Sequence, residues 1–260
     1  MKDFRIIDFH THPFRNDRDN ICSHKSVIEM DAETTLQLMD RLGVDVICGS
    51  VIHKTKEGDD IWSELRYMNN EALALRERYG NRYVPGFHVH PDFVRESCEE
   101  IERMHGLGVH LVGELIPYGH GWSDYSCKGF SEILDLCEQY GMIVSFHSMG
   151  NDEMDRMVRE HPNVTFVAAH PGEFRDFNRH MERMRFSENY YLDLSGYGIF
   201  REGMLRHAID LFGARQFLFG SDYPTCNMSM YIGGVLMDPL ITDAEKELIF
   251  SKNAERLLKL

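Results

Sequence analysis

Short apolar runs alternate with amphipathic stretches from one end of the chain to the other. Eight of the runs predict strands: Phe4–Phe9, Val44–Val51, Tyr83–Val89, Val109–Leu115, Met142–His147, Val164–His170, Tyr190–Leu194 and Gln216–Gly220. Several are short and rich in β-branched residues, as strands covered on both faces should be. Helical patterns fill the gaps. Asp31 supplies an N-cap carboxylate for the first, and Gly43 ends it. Asp59–Tyr79, Asp92–His105 and Ser131–Tyr140 each stop at a glycine. Met154–Glu160, Phe177–Arg185 and Glu202–Phe212 follow the same plan, Thr242-Asp-Ala-Glu forms a capping box, and Asn253–Leu260 closes the chain.

Eight strand-then-helix units within 260 residues predict a (β/α)8 barrel occupying 1–260 as a single domain. The rival, an open doubly wound sheet, expects Gly-x-Gly-x-x-Gly after the first strand, and that motif is missing. Three stretches lack periodicity: Arg15–Met30, Pro117–Gly129 and Tyr223–Asp238. Each follows a strand, on the face where barrels build their active sites.

Composition narrows the class. A formal net charge of −14 argues against a nucleic-acid surface, which needs a basic stripe. It is compatible with carboxylates partly neutralised by a bound cation. The first residues form no signal-peptide pattern and no run reaches transmembrane length, so neither membrane nor secretion is expected. Six scattered cysteines without a Cys-x-x-Cys pair suit reduced thiols in a cytoplasm. The 15 methionines read as core filler.

The chemistry concentrates at the strand ends. The first strand closes with His10-Thr11-His12, two imidazoles that strand alternation turns to one face. Glu114 ends the fourth strand, His147 the fifth, His170 the sixth, and Asp222 follows the eighth. Imidazole and carboxylate are the ligands of catalytic zinc and related divalent ions. Singly, each residue is more often structural; their repeated placement at one end of successive strands makes the metal site. One or two divalent ions, zinc first among them, are the expected cofactor. Such an ion brings bound water to a pKa of about 7. Asp222 is the expected proton carrier, and His170 is either a ligand or a base that polarises a substrate carbonyl. Asp8 is expected to support the site or the fold without being a ligand.

These residues resemble the amidohydrolase superfamily. The His-x-His, the single histidines on strands five and six, Gly220-Ser-Asp-Tyr-Pro224 and the closing Ile249–Leu258 segment are most similar to the amidohydrolase-related branch. That branch contains aminocarboxymuconate semialdehyde decarboxylase. The resemblance implies a mono- or binuclear site, usually zinc, with hydrolase or decarboxylase activity. It matches His10, His12 and Asp222 to a first metal. It assigns His147 and His170 to a second metal, or to a ligand and a base. Many superfamily members carry a bridging carboxylated lysine on strand four; here Glu114 stands there, either bridging two cations or acting as an acid beside one.

Tyr118 and Trp122 in the loop after Glu114, and His88 after strand three, are candidate substrate contacts, although packing explains each as readily. Arg175 is a candidate carboxylate anchor or a plain exposed helical arginine. The leading expectation is a metal-dependent hydrolase of an amide, ester or lactone of a small molecule. The alternative is a metal-dependent, non-oxidative decarboxylase of a small carboxylic acid. Two metals bridged by Glu114 favour the first; one metal, a free His170 and a basic carboxylate anchor favour the second. A homo-oligomer is compatible with either.

Overall fold

The computed structural model describes residues 4–24, 30–198 and 201–260. Its eight strands form one parallel sheet in chain order: β1 (Ile7–Asp8), β2 (Val46–Gly49), β3 (Tyr83–Phe87), β4 (Leu111–Leu115), β5 (Ile143–His147), β6 (Thr165–Ala169), β7 (Tyr190–Asp193) and β8 (Phe217–Leu218). Ladders join each strand to the next. The β8–β1 seam is joined by single bonds instead: Phe9 N–H to the Phe219 carbonyl at 2.8 Å, Asp222 N–H to His10 O at 2.8 Å, and His12 N–H to Tyr223 O at 2.6 Å. Asp8 stitches the same seam, accepting from the backbone N–H of Ser221 at 2.9 Å and its hydroxyl at 2.5 Å. The result is a single-domain (β/α)8 barrel, as the spacing predicts.

Helices α1 (Ala32–Leu42), α2 (Ile61–Tyr79), α3 (Val94–Gly106), α4 (Lys128–Tyr140), α5 (Asn151–Glu160), α6 (Phe174–Phe186), α7 (Met204–Phe212) and α8 (Met228–Leu236) follow the strands in turn. The expected caps are present: Asp31 accepts from Thr34 N–H, Gly43 and Gly141 take the left-handed conformation, and Thr242 and Glu245 complete the capping box of α9 (Asp243–Glu247). A π-helical turn over Leu248–Lys252 leads into α10 (Asn253–Leu258). Helices α4, α5 and α6 start three residues before the sequence pattern suggests. None has a side-chain cap, so apolar periodicity, which begins a turn later, was the one available start signal. The Tyr223–Asp238 stretch is not a loop throughout, because α8 lies inside it. Its Gly233-Gly234 pair and weak amphipathicity hid it. Of the Arg15–Met30 stretch, 25–29 lie outside the described residues.

Apolar burial separates into two layers. The larger packs the outward strand faces against the helices. The smaller fills the lumen with Ile7, Val46, Leu111, Ile143, Val167 and Leu218, and Ala254 of α10 packs against it with Leu257 and Leu258 at its edge. Among the described residues no helix is long and apolar enough to cross a membrane.

One buried polar contact ties a helix to the barrel wall and carries a pH signature. His180 of α6 lies with Nδ1 2.7 Å from the Tyr190 hydroxyl on β7. Burial first, and then the Arg183 guanidinium, push this imidazole down to about 3. The folded protein therefore keeps it neutral, while the unfolded chain protonates it near pH 6.5. Its contribution to stability is whole above that pH and is lost as pH falls toward about 3. His180→Gln should flatten the fall of unfolding free energy between pH 6.5 and 4 by up to about 1.4 kcal/mol per pH unit. Urea unfolding at several pH values measures it, and parallel curves for the two proteins would refute the assignment.

Candidate metal centre

The first two imidazoles are aimed by their far nitrogens. His12 Nδ1 lies 3.1 Å from the Ser50 carbonyl, which can only accept, so this nitrogen donates and Nε2 is left to face inward. His10 Nδ1 is 2.9 Å from Asp193 Oδ2, with the same consequence. The two Nε2 atoms meet at 3.1 Å. Glu114 Oε2 is 3.2 Å from each of them. Asp222 Oδ1 is 3.4 Å from His12 Nε2 and 3.8 Å from His10 Nε2. Ligands about 2.05 Å from one tetrahedral ion stand about 3.3 Å apart. The observed separations scatter around that edge length, so these four groups fit a divalent cation.

Glu114 then turns its second oxygen the other way. Oε1 is 3.1 Å from His147 Nδ1 and 3.7 Å from His170 Nε2. The ligand atoms of Glu114, His147 and His170 lie within 4.8 Å of one another, as do those of His10, His12 and Glu114. All six ligands expected from the sequence therefore gather at one mouth, in two sets that share a single carboxylate. The buried cluster suits one or two divalent ions, and its mixed nitrogen and oxygen donors serve zinc and manganese alike.

Electrostatics give the same reading. Burial disfavours a charged His10, yet the Asp193 and Glu114 carboxylates raise it well above the usual histidine range. Burial is likewise outweighed at His12, which hydrogen bonds to Asp222 and Glu114 carry to about 9. Glu114 is buried too, but the imidazoles, His10 foremost, hold it well below the carboxylate range. His170 is lowered, chiefly by burial. The pocket thus demands positive charge, and protons meet that demand when no metal does. His170 (φ 68°) and Asp222 (φ 59°) also take the left-handed conformation, which strains a side-chain-bearing residue by roughly 1–2 kcal/mol and persists where surroundings enforce it.

A cavity of about 650 Å³ opens from the cluster, lined by His147, Asn151, His170, Asp176, Tyr197, Asp222, Cys226 and Tyr231 among others. Among the described residues, no lysine or arginine lines it. Arg175 is exposed on α6, as its plainer reading has it. Tyr118 stands at the rim with its ring 5.0 Å from His147. Two expected substrate contacts are placed elsewhere. His88 is fully buried, bonded through Nε2 to the Val51 carbonyl at 2.8 Å and through its backbone N–H to Asn69 at 2.7 Å. Trp122 packs on Tyr125 and Phe130. Both residues serve packing because the strand-three and strand-four loops fold inward on aromatic neighbours.

Three nearby residues escaped the sequence reading. Asp193 ends β7 and Ser195 follows it, where alternating polar residues look like ordinary strand pattern. Cys226 Sγ approaches Asp222 Oδ2 at 3.6 Å, and no spacing in the chain announces it.

Comparison with known proteins agrees with this architecture. A family model described as amidohydrolase matches residues 7–260. No curated protein matches the chain. Among solved structures, 2,6-dihydroxybenzoate decarboxylase from Rhizobium superposes with a TM-score of 0.73 at 17% identity, over 98% of this chain and 99% of that one. A dihydroxybenzoic acid decarboxylase from Polaromonas, holding manganese and the inhibitor 2-nitroresorcinol, gives 0.75 at 16%, over 99% and 97%. A probable 2-pyrone-4,6-dicarboxylic acid hydrolase from Acinetobacter baumannii, with citric acid bound, gives 0.71 at 15%, over 99% and 100%. At these identities the likeness is one of fold.

Because His10 and His12 hold protons without metal, a binding cation has to expel them. Apparent zinc or manganese affinity should therefore rise with pH and level off near about 9, the His12 value. Isothermal titration in buffers of different ionisation enthalpy counts the protons released. Glu114→Gln should weaken the tightest site at least about tenfold; unchanged affinity and no proton release would remove the centre.

Proposed function

That the chain belongs to the amidohydrolase family is the premise from which we propose a metal-dependent, non-oxidative decarboxylase of a small, ring-bearing carboxylic acid. The observation that carries this reading is the pairing of a cation site with a cavity that, among the described residues, is lined by no lysine or arginine. With no arginine or lysine among the described lining residues to hold a substrate carboxylate, the cation site itself is the group that would draw it. The expected basic anchor is thus replaced by the centre. Decarboxylases of hydroxylated benzoic acids are prominent among the superposing folds, and this supports the same choice. It reverses the order of the two activities expected from sequence.

His10, His12, Glu114 and Asp222 would hold the cation, which would supply Lewis acidity toward substrate oxygens. The protein's own groups do the rest. Tyr197 and Tyr231 wall the cavity and offer aromatic faces to a ring. Asp222 lies between the cluster and the cavity, and we assign it the proton transfer. As the carbon–carboxylate bond breaks, its electron pair stays on the ring carbon, CO2 leaves, and Asp222 hands that carbon a proton. His170, kept neutral by burial, returns a proton from solvent to the site.

One observation favours hydrolysis as a second reading: Glu114 divides its oxygens between two histidine pairs, the geometry of a carboxylate bridging two ions. Ions held by both sets would supply Lewis acidity toward a water, and Asp222 would be the group that accepts the proton of that water.

Isotopes separate the two. Incubation of the manganese- or zinc-loaded protein with hydroxylated benzoates in D2O should release CO2 and leave one deuterium on the product ring. Incorporation of one 18O from labelled water into the product of a lactone or ester, with no CO2 from any acid, would instead establish hydrolysis. Asp222→Asn should lower kcat by about 10²–10⁴-fold with an unchanged circular dichroism spectrum; full activity would end its role.

A further inference from the structure

The segment Asp193-Leu194-Ser195-Gly196 closes β7 against the histidines of two other strands. We infer that Asp193 and Ser195 are a positioning pair that keeps the hydrogen of both His10 and His170 on Nδ1, so that both Nε2 atoms face Glu114. The inference rests on the cation site and is independent of which bond the enzyme breaks.

Hydrogen-bond chemistry dictates the assignment. The Ser195 hydroxyl makes a short bond to Asp193 Oδ1, whose same oxygen accepts from the Ser195 backbone N–H at 2.9 Å. An ionised carboxylate only accepts, so the hydroxyl hydrogen is committed to it. The Ser195 oxygen is then left as an acceptor. His170 Nδ1 lies 3.0 Å away and His10 Nδ1 2.9 Å away, and each must bring its own hydrogen. His10 Nδ1–H is shared with Asp193 Oδ2 at 2.9 Å. One carboxylate therefore orders two rings, His10 directly and His170 through a hydroxyl.

Two further observations fit. His10, His170 and Asp193 themselves form a ligand-like triad. The Ser195 hydroxyl touches all three, so a protein oxygen stands where an ion would sit. Gly196 is moulded to the His170 ring: a Cβ there would lie 2.2 Å from Nδ1. The Asp-x-Ser-Gly turn thus leaves the His170 ring room for one seat, with Nδ1 toward β7 and Nε2 3.7 Å from Glu114 Oε1.

The test uses the full chain and three readouts. Long-range 1H–15N spectra of the metal-free protein should show His170 as the Nδ1–H tautomer. In Ser195→Ala that tautomer should give way to Nε2–H, while zinc affinity at the tightest site changes less than about twofold. Asp193→Asn offers an amide that can donate to His10, so zinc affinity should fall about 10–100-fold. An unchanged His170 tautomer in Ser195→Ala would overturn the relay. Wild-type zinc affinity in Asp193→Asn would overturn the direct arm. Should Asp193→Asn not fold, the Ser195→Ala spectra still decide the relay. None of these results depends on whether CO2 is released.

Discussion

A buried carboxylate surrounded by imidazoles is the constraint around which this protein is arranged. Glu114 is almost fully enclosed and has four histidines within 3.7 Å of its two oxygens. An uncompensated charge at such depth carries a desolvation penalty of several kcal/mol. The fold resolves it by bringing ring nitrogens from β1, β5 and β6 against a carboxylate from β4 and a second from the β8 turn. Each of those residues sits at the same end of its strand, which is the arrangement a parallel barrel makes available.

The supporting contacts are as specific as the ligands. Ser50, Asp193 and Ser195 meet the imidazoles at the ring nitrogens that face away from the centre. Asp8, two residues before His10, spends its carboxylate on Ser221, so the β1 and β8 ends that deliver His10, His12 and Asp222 are tied to each other. Rigidity in this region comes from polar bonding across a seam that lacks a ladder. On the opposite side, the strands rest on aliphatic packing and the closing helix.

Much of this was legible in the chain. Eight apolar runs predict the eight strands because a lumen filled by side chains and an outer ring of helices bury both strand faces. The six candidate ligands stand out in the chain because strand ends are short, ordered and repeated, so a polar residue there breaks an apolar run; the fold brings their side chains together. Asp193 does not stand out, because an Asp after Tyr-Tyr-Leu resembles the end of a strand, and its partner His10 lies 183 positions away in the chain. His88 misled for the opposite reason. His-x-His is as conspicuous after strand three as after strand one, yet the His88 ring is fully buried, with Nε2 on the Val51 carbonyl and its backbone bonded to Asn69. Helix α8 was missed because its glycines and methionines give little periodicity to read.

The lack of lysine and arginine among the described residues lining the cavity bears on the order in which a metal and an anionic substrate would bind. Before a cation arrives, the lining presents Asp176 and Asp222, on a chain whose overall charge is −14. Apart from the imidazoles of the cluster, the charged groups an anionic guest would meet there are carboxylates. Once a cation is seated, the same opening becomes a trap for anions. On the proposed reading, seating of the metal would come first and capture of an anionic substrate second.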